Sequence, residues 1–248
     1  MRLLLTRPQE DAQETLRALE SQGHEVWLEP LLEIRDRNEA VVDLQGVQAL
    51  MVTSRNGLRA YMRLCGQRDL PVYAVGPASA ATARDAGFTE VHSADGDAVK
   101  LAELVRRELD PAAGALLHPA GRDVAGGLSK RLESAGYELR RVVLYDALPA
   151  RAFSAATNAL LRADTLDAVL LFSPRTAETF ARLVLQAGLA SACESLAAFC
   201  LSPAVASAAC LPWRSVHTAE APNQEAMLEM IGQAEKQMNE QRSGKAET

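Results

Sequence analysis

The sequence predicts an α/β protein in which parallel sheets are buried on both faces by helices, arranged as two similar lobes. Three observations predict it. Short, almost wholly apolar runs alternate with amphipathic stretches along the 248 residues. Several of the amphipathic stretches stop at a glycine. The chain also repeats itself. RLLLTRP (2–8) and LRALESQGHEV (16–26) return as ALLHPAGRD (115–123) and KRLESAGYEL (130–139). MVTSRNGLRAYMRL (51–64) returns as LLFSPRTAETFARL (170–183), and VYAVGPASAATA (72–83) returns as AAFCLSPAVASA (197–208). Blocks that recur in the same order indicate one architecture used twice. Two such lobes enclose a cleft, where a small ligand is expected.

Strands are expected at 2–5, 25–28, 49–52, 72–75, 90–92, 115–117, 138–143, 168–172, 197–200 and 215–217. Each is too short for a helix and apolar without alternation, the pattern of a strand covered on both sides. Residues 9–22 read as a helix with Ala12, Leu16 and Leu19 on one side and Gly23 as its stop. Helices at 78–86, 124–135 and 176–187 stop in the same way at Gly87, Gly136 and Gly188. Past residue 237 the polar segment 238–248 has no apolar period and is expected to be a disordered tail.

Composition narrows the function. Hydrophobic residues make up 48% and aromatics only 4%, so the cores are aliphatic. A net charge of −6 argues against nucleic acid and anionic membrane surfaces as partners. No apolar run approaches the ~20 residues of a membrane span, and three leucines are too few for a signal peptide. The four cysteines and four histidines show no metal-ligand spacing, so no metal is expected, and the cysteines read as buried thiols of a reducing, cytoplasmic compartment. No GxGxxG follows the first strand and no phosphate loop occurs, which removes support for a nucleotide cofactor or a flavodoxin-type electron carrier.

The candidate site lies where strands end. Arg7, Arg55, Arg122 and Arg175 each fall a few residues past an apolar run, and strand ends of one sheet edge converge. Thr53, Ser54 and Asn56, Gly76 and Ser79, Ser173, and Ser202 occupy the helix starts that follow the strands. Caps, oriented N–H groups and guanidinium groups together make a rim suited to several carboxylates or phosphates. None of the serines sits in a G-x-S-x-G elbow or beside a histidine base.

With these residues in view, the chain resembles the uroporphyrinogen-III synthase family. The likeness is carried by LLLTRP (3–8), EPLLEI (29–34), VTSRNG (52–57), AVGPASAATARDAG (74–87), HPAGRD (118–123) with RLESAGYEL (131–139), VVLYDA (142–147) and FSPRTAETF (172–180), in that order. The resemblance implies two flavodoxin-like lobes joined by a two-stranded antiparallel linker. Domain 1 would be discontinuous, residues 1–29 plus 150–237, and domain 2 would be 37–140, with 30–36 and 141–149 as linker strands. It implies a cytoplasmic, monomeric lyase without metal or organic cofactor. Such an enzyme closes hydroxymethylbilane, a linear tetrapyrrole with eight carboxylates, inverting the terminal pyrrole and releasing water. Transient contact with the preceding bilane-forming enzyme follows from the same resemblance. Tyr145 matches the tyrosine that the family places at the cleft, as proton donor or hydrogen-bond partner to the departing oxygen. Ser202 stands where the family commonly has glycine, which implies strain if that backbone has φ > 0. A non-catalytic two-lobe binding protein for an anionic metabolite is the alternative; it shares the cleft and the arginine rim and differs in Tyr145 and in turnover.

Overall fold

The computed structural model describes residues 1–123 and 127–246, with side chains through Gln237. Along the chain come β1 (Arg2–Leu5), α1 (Gln9–Ser21), β2 (Glu25–Leu28), β3 (Leu32–Asp36), β4 (Val47–Val52), α2 (Arg55–Leu64), β5 (Val72–Ala74), α3 (Pro77–Asp85), β6 (Val91–Ser93) and α4 (Ala98–Glu108). They are followed by β7 (Ala115–Gly121), α5 (Leu128–Glu133), β8 (Leu139–Pro149), α6 (Ala155–Arg162), β9 (Ala168–Leu171), α7 (Pro174–Gln186), β10 (Ala197–Cys200), α8 (Pro203–Ala208), β11 (Ser215–Thr218) and α9 (Gln224–Ala246). The elements form two compact units, Met1–Glu33 with Pro149–Thr248, and Ile34–Leu148.

The first unit holds a five-stranded sheet in the order β11-β10-β9-β1-β2, with every neighbouring pair parallel. The apolar runs of its central strands split between two faces, as the two-residue period requires. Leu4, Val169 and Ala198 face one core with Phe180 and Val184 of α7. Leu3, Leu5, Leu170 and Phe199 face another with Ala12 and Leu19 of α1 and Met227 and Ile231 of α9.

The second sheet runs β3-β8-β7-β4-β5-β6. From β8 to β6 neighbouring strands pair in parallel. Leu50, Val52, Val72 and Leu117 bury against α2 and α3, while Ala49, Met51, Tyr73 and Leu116 bury against α4 and α5. β3 runs antiparallel to the later part of β8, as shown by Arg37 N donating to Leu144 O and Ala150 N to Leu31 O, both at 2.9 Å.

Read from β2, the first sheet is β2-β1-β9-β10-β11. The second, past β3, is β8-β7-β4-β5-β6. The repeated blocks occupy matching places, β1 with β7, β9 with β4, β10 with β5 and β11 with β6. It is the second-first-third-fourth-fifth order of a doubly wound sheet, entered at a different strand in each unit.

Local sequence explains the helix ends. Gly23 has φ 85°, where a Cβ is strained, and its N–H closes back onto Glu20 O while His24 N reaches Leu19 O. Gly87, Gly136 and Gly188 repeat this after α3, α5 and α7. Three expectations need correction. Of the helix expected at 124–135, α5 covers Leu128–Glu133 with Gly127 at φ 117° as its N-cap, and 124–126 lie outside the described residues. β7 and β8 run beyond 117 and 143, each extended by its neighbour's ladder. The backbone of α9 is helical to Ala246, past residue 238, because its Gln, Glu, Lys and Met content is helix-forming even without an apolar period. Side chains in 238–248 lie outside the described residues.

Candidate active site

In a doubly wound sheet, ligands bind at the carboxyl ends of the strands, where helix N-termini present free N–H groups. In the second unit that edge carries side chains paired with one another. Ser54 leaves β4 in an extended conformation and caps α2, its Oγ accepting from Asn56 N at 3.1 Å. The same Oγ lies 3.2 Å from Tyr145 Oη on β8. Tyr145 is 8% exposed. Its ring lies over Gly121, the last residue of β7, where a Cβ would come within 2.8 Å of the phenol carbon. Glycine at 121 is therefore what lets the phenol lie across the end of β7.

One residue back, Thr53 Oγ1 is 2.8 Å from His118 Nε2. His118 is 1% exposed, and burial, seconded by the Arg141 cation, pushes its pKa down to about 4. Arg122 N donates to Tyr145 O at 2.9 Å, tying the strand end to the tyrosine backbone. The exposed Arg122 guanidinium pairs with Asp146 at 2.5 Å and holds that carboxyl below its usual range, with Arg37 and Arg35 adding to the effect. Arg141 donates to Gly121 O at 2.6 Å and also to Arg122 O, bracing the same turn.

Other expected residues take quieter places in this unit. Asn56 is 8% exposed and accepts from Arg59 through Oδ1 at 3.1 Å. Gly76 caps α3 with φ −160°, an extended conformation open to any residue, and Ser79 is buried within α3. Arg55 is half-buried in the first turn of α2.

The first unit uses its strand ends differently. Thr6 Oγ1 donates to Leu170 O at 2.6 Å. The Arg7 guanidinium lies 4.4 Å from the Phe172 ring and donates to Thr15 Oγ1 at 3.1 Å, and Thr15 donates to Gln224 at 2.6 Å. Arg7 thus ties together the end of β1, α1 and α9. Glu29, buried after β2, accepts from the Ser154 N–H at 2.9 Å, from the Ser154 hydroxyl at 2.6 Å and from Thr157. Ser173 caps α7, accepting from Thr176 N at 3.1 Å, with Arg175 half-buried in the first turn. Ser202 caps the six-residue α8 at 3.4 Å with φ −158°, so serine replaces glycine there without strain.

Neither His118 nor Asp146 stands out in the sequence as a site residue. Their signals were weak: one histidine in HPAGRD, and one aspartate directly after the tyrosine. Among the described residues no three His, Cys, Asp or Glu side chains gather as metal ligands. No helix there is long and apolar enough to cross a membrane.

Comparison with known proteins agrees with this architecture. Two solved structures are similar along nearly the whole chain. One, from Helicobacter pylori 26695, is described as uroporphyrinogen-III synthetase; it is 16% identical with a TM-score of 0.64, over 94% of this chain and 100% of that one. The other is a mutant uroporphyrinogen III synthase from the extreme thermophile Thermus thermophilus, 18% identical with a TM-score of 0.57, over 96% and 99%. At such identities they establish the fold. No curated protein matches the sequence. The family model described as "Uroporphyrinogen-III synthase HemD" matches residues 13–229, most of the chain, and on that match the chain belongs to the uroporphyrinogen-III synthase family, cyclising lyases of tetrapyrrole biosynthesis.

Proposed function

We propose that the chain closes hydroxymethylbilane to uroporphyrinogen III with Tyr145 as proton donor to the departing oxygen. The carrying observation is the 3.2 Å contact between Ser54 Oγ and Tyr145 Oη at the carboxyl edge of a parallel sheet. Ser54 already accepts from Asn56 N, so its own proton is available to Tyr145 Oη. A phenol whose oxygen is held in this way can pass its own proton to a ligand oxygen. Its transfer to the hydroxymethyl oxygen breaks the C–O bond and releases water. The pyrrole nitrogen's electrons stabilise the resulting azafulvenium cation. Attack by the substituted carbon of the terminal ring then gives the spiro intermediate of inversion. The ring's original bond to the neighbouring methylene then breaks and moves the cation to that methylene. The ring's free α-carbon attacks it, and the proton this carbon sheds as the pyrrole regains aromaticity returns to the phenolate, so the enzyme ends as it began. Because the cation forms readily, the main demand on the protein is to position the terminal ring.

The eight carboxylates of the substrate suit a rim of helix N-termini and arginines. We assign this role to Thr53, Arg55, Asn56, Gly76, Ser79 and Arg122 in one unit and to Ser173, Arg175 and Ser202 in the other. Buried, unpaired thiols at Cys193 and Cys200 accord with work in a reducing cytoplasm. The reading includes action as a monomer and substrate transfer by brief contact with the bilane-forming enzyme.

Fresh hydroxymethylbilane incubated with purified protein, followed by isomer separation of the oxidised porphyrin, tests the activity. Predominance of the uninverted isomer would refute it. Tyr145→Phe is expected to lower kcat by ~10²–10⁴. Full rate and an unchanged isomer ratio in that variant would remove Tyr145 from the chemistry.

A further inference from the structure

His118 is buried to 1% exposure, and its Nδ1 is, among the described residues, the buried side-chain nitrogen or oxygen left without a hydrogen-bond partner. Its other nitrogen, Nε2, faces Thr53 Oγ1 at 2.8 Å. A protonated ring would bury a charge in sight of the Arg141 cation, and both effects hold the ring neutral. Of the two neutral tautomers, Nδ1–H strands a donor in the core, whereas Nε2–H strands only a lone pair. Orphaned buried N–H groups are the rarer and costlier of the two. The Nε2–H tautomer donates to Thr53. Thr53 then accepts through one lone pair, and its hydroxyl proton cannot point back at His118.

We propose that His118 is a positioning residue that fixes Thr53 as an outward hydrogen-bond donor to a substrate oxygen, a second donor one residue from the Ser54–Tyr145 pair. Thr53 sits half-buried where β4 gives way to α2, beside the serine that touches Tyr145. Thr53 is thus held from behind by His118 of β7, while the next hydroxyl, Ser54, meets Tyr145 of β8. A hydroxyl held as acceptor on one side is a pre-oriented donor on the other, without reorganisation when an oxygen anion arrives. The ligand chemistry is a carboxylate or a departing hydroxyl oxygen. The proposal rests on the synthase reading for which oxygen is met, but not for the tautomer.

Two measurements separate the two claims. Two-bond nitrogen–proton correlation spectra of ¹⁵N-histidine-labelled protein read the tautomer directly. His118 is expected as neutral Nε2–H at about pH 7. An Nδ1–H tautomer or an imidazolium overturns the proposal whatever the enzyme does. For function, the wild type is assayed first for the inverted isomer, which judges the synthase reading alone. Thr53→Val is then expected to lower kcat/KM about tenfold, the scale of one lost hydrogen bond, through kcat if Thr53 meets the departing oxygen and through KM if it meets a carboxylate. Thr53→Ser should keep most of the rate. His118→Leu should reproduce the Thr53→Val loss, the double variant should be no worse than either single one, and His118→Gln should recover most of what leucine loses. Additive losses, or a Thr53→Val enzyme of full kcat/KM, would overturn the positioning role. If His118→Leu fails to fold, the tautomer and the Thr53 pair still decide.

Discussion

The two units share one strand order and use it in opposite ways. In the first, polar groups at the strand ends turn inward and bind the unit to itself. Thr6 bonds the Leu170 carbonyl, Arg7 ties β1 to α1 and α9, and Glu29 caps the start of α6. In the second, the same edge pairs side chain with side chain: Ser54 with Tyr145, Thr53 with His118, Arg122 with Asp146. A hydroxyl that bonds a backbone carbonyl is spent on structure. One that bonds a titratable side chain keeps a proton or lone pair for chemistry. The fold therefore supplies two rims, and the partners of a few residues distinguish them.

The aromatic residues divide in a way that lets the comparison be tested. Both tryptophans, Trp27 and Trp213, lie in the first unit, and all four tyrosines lie in the second. The largest expected effect is from Phe180→Ala. Phe180 is fully buried, with Phe153 and Trp213 rings at 5.3 and 5.5 Å, so the loss is about 3–5 kcal/mol. Tryptophan fluorescence should report unfolding at lower urea, while the near-ultraviolet tyrosine signal holds. If both signals move together, the units do not unfold separately and the comparison breaks.

Next comes acid. His118 titrates near 4 when folded against 6.5 when free, so the unfolded chain takes up the proton first as pH falls. Stability is unaffected above 6.5 and declines by up to roughly 3 kcal/mol on the way down to 4. The tyrosine-reported transition should therefore be the more acid-sensitive. In His118→Gln that extra slope should vanish. His24 and His217, also lowered by burial, leave a residual slope in the first unit. An unchanged pH profile in the variant would place the sensitivity elsewhere.

Gly57→Ala is expected to cost about 1–3 kcal/mol in the second unit alone. A Cβ at Gly57 would stand 2.3 Å from Pro119 O, so α2 must lift from β7. The lift would also shift Ser54 against Tyr145, and kcat should fall together with the tyrosine-reported stability. A variant of native stability would show that the helix has room to move.

The smallest effects belong to the caps. Ser173→Ala should lose about 1 kcal/mol from the first unit and leave the isomer ratio unchanged. Ser202→Ala should lose less, since its cap on α8 is longer at 3.4 Å. Ser54→Ala should match Ser173→Ala in stability and in addition slow turnover, because only Ser54 touches a tyrosine. Equal kinetic effects at Ser54 and Ser173 would erase the distinction between the rims.

Much of this was legible in residues alone. Apolar runs covered on two faces, helix-ending glycines and serine caps are local signals, and each states its own structure: Leu3–Leu5 had to be central, Gly23 had to follow a helix, and Ser54 had to precede one. The repeat added that two units share one plan. The tertiary structure decided what each polar residue faces. Arg7 and Arg122 stand at comparable places in the repeat, yet Arg7 packs on Phe172 while Arg122 pairs with Asp146 at an exposed strand end. His118 meets Thr53 at 2.8 Å across 65 positions of separation. Periodicity and capping depend on neighbours within a few residues and can be read from order. A hydrogen bond between distant strands depends on sheet register and on which group is left without water, and only the folded chain settles those.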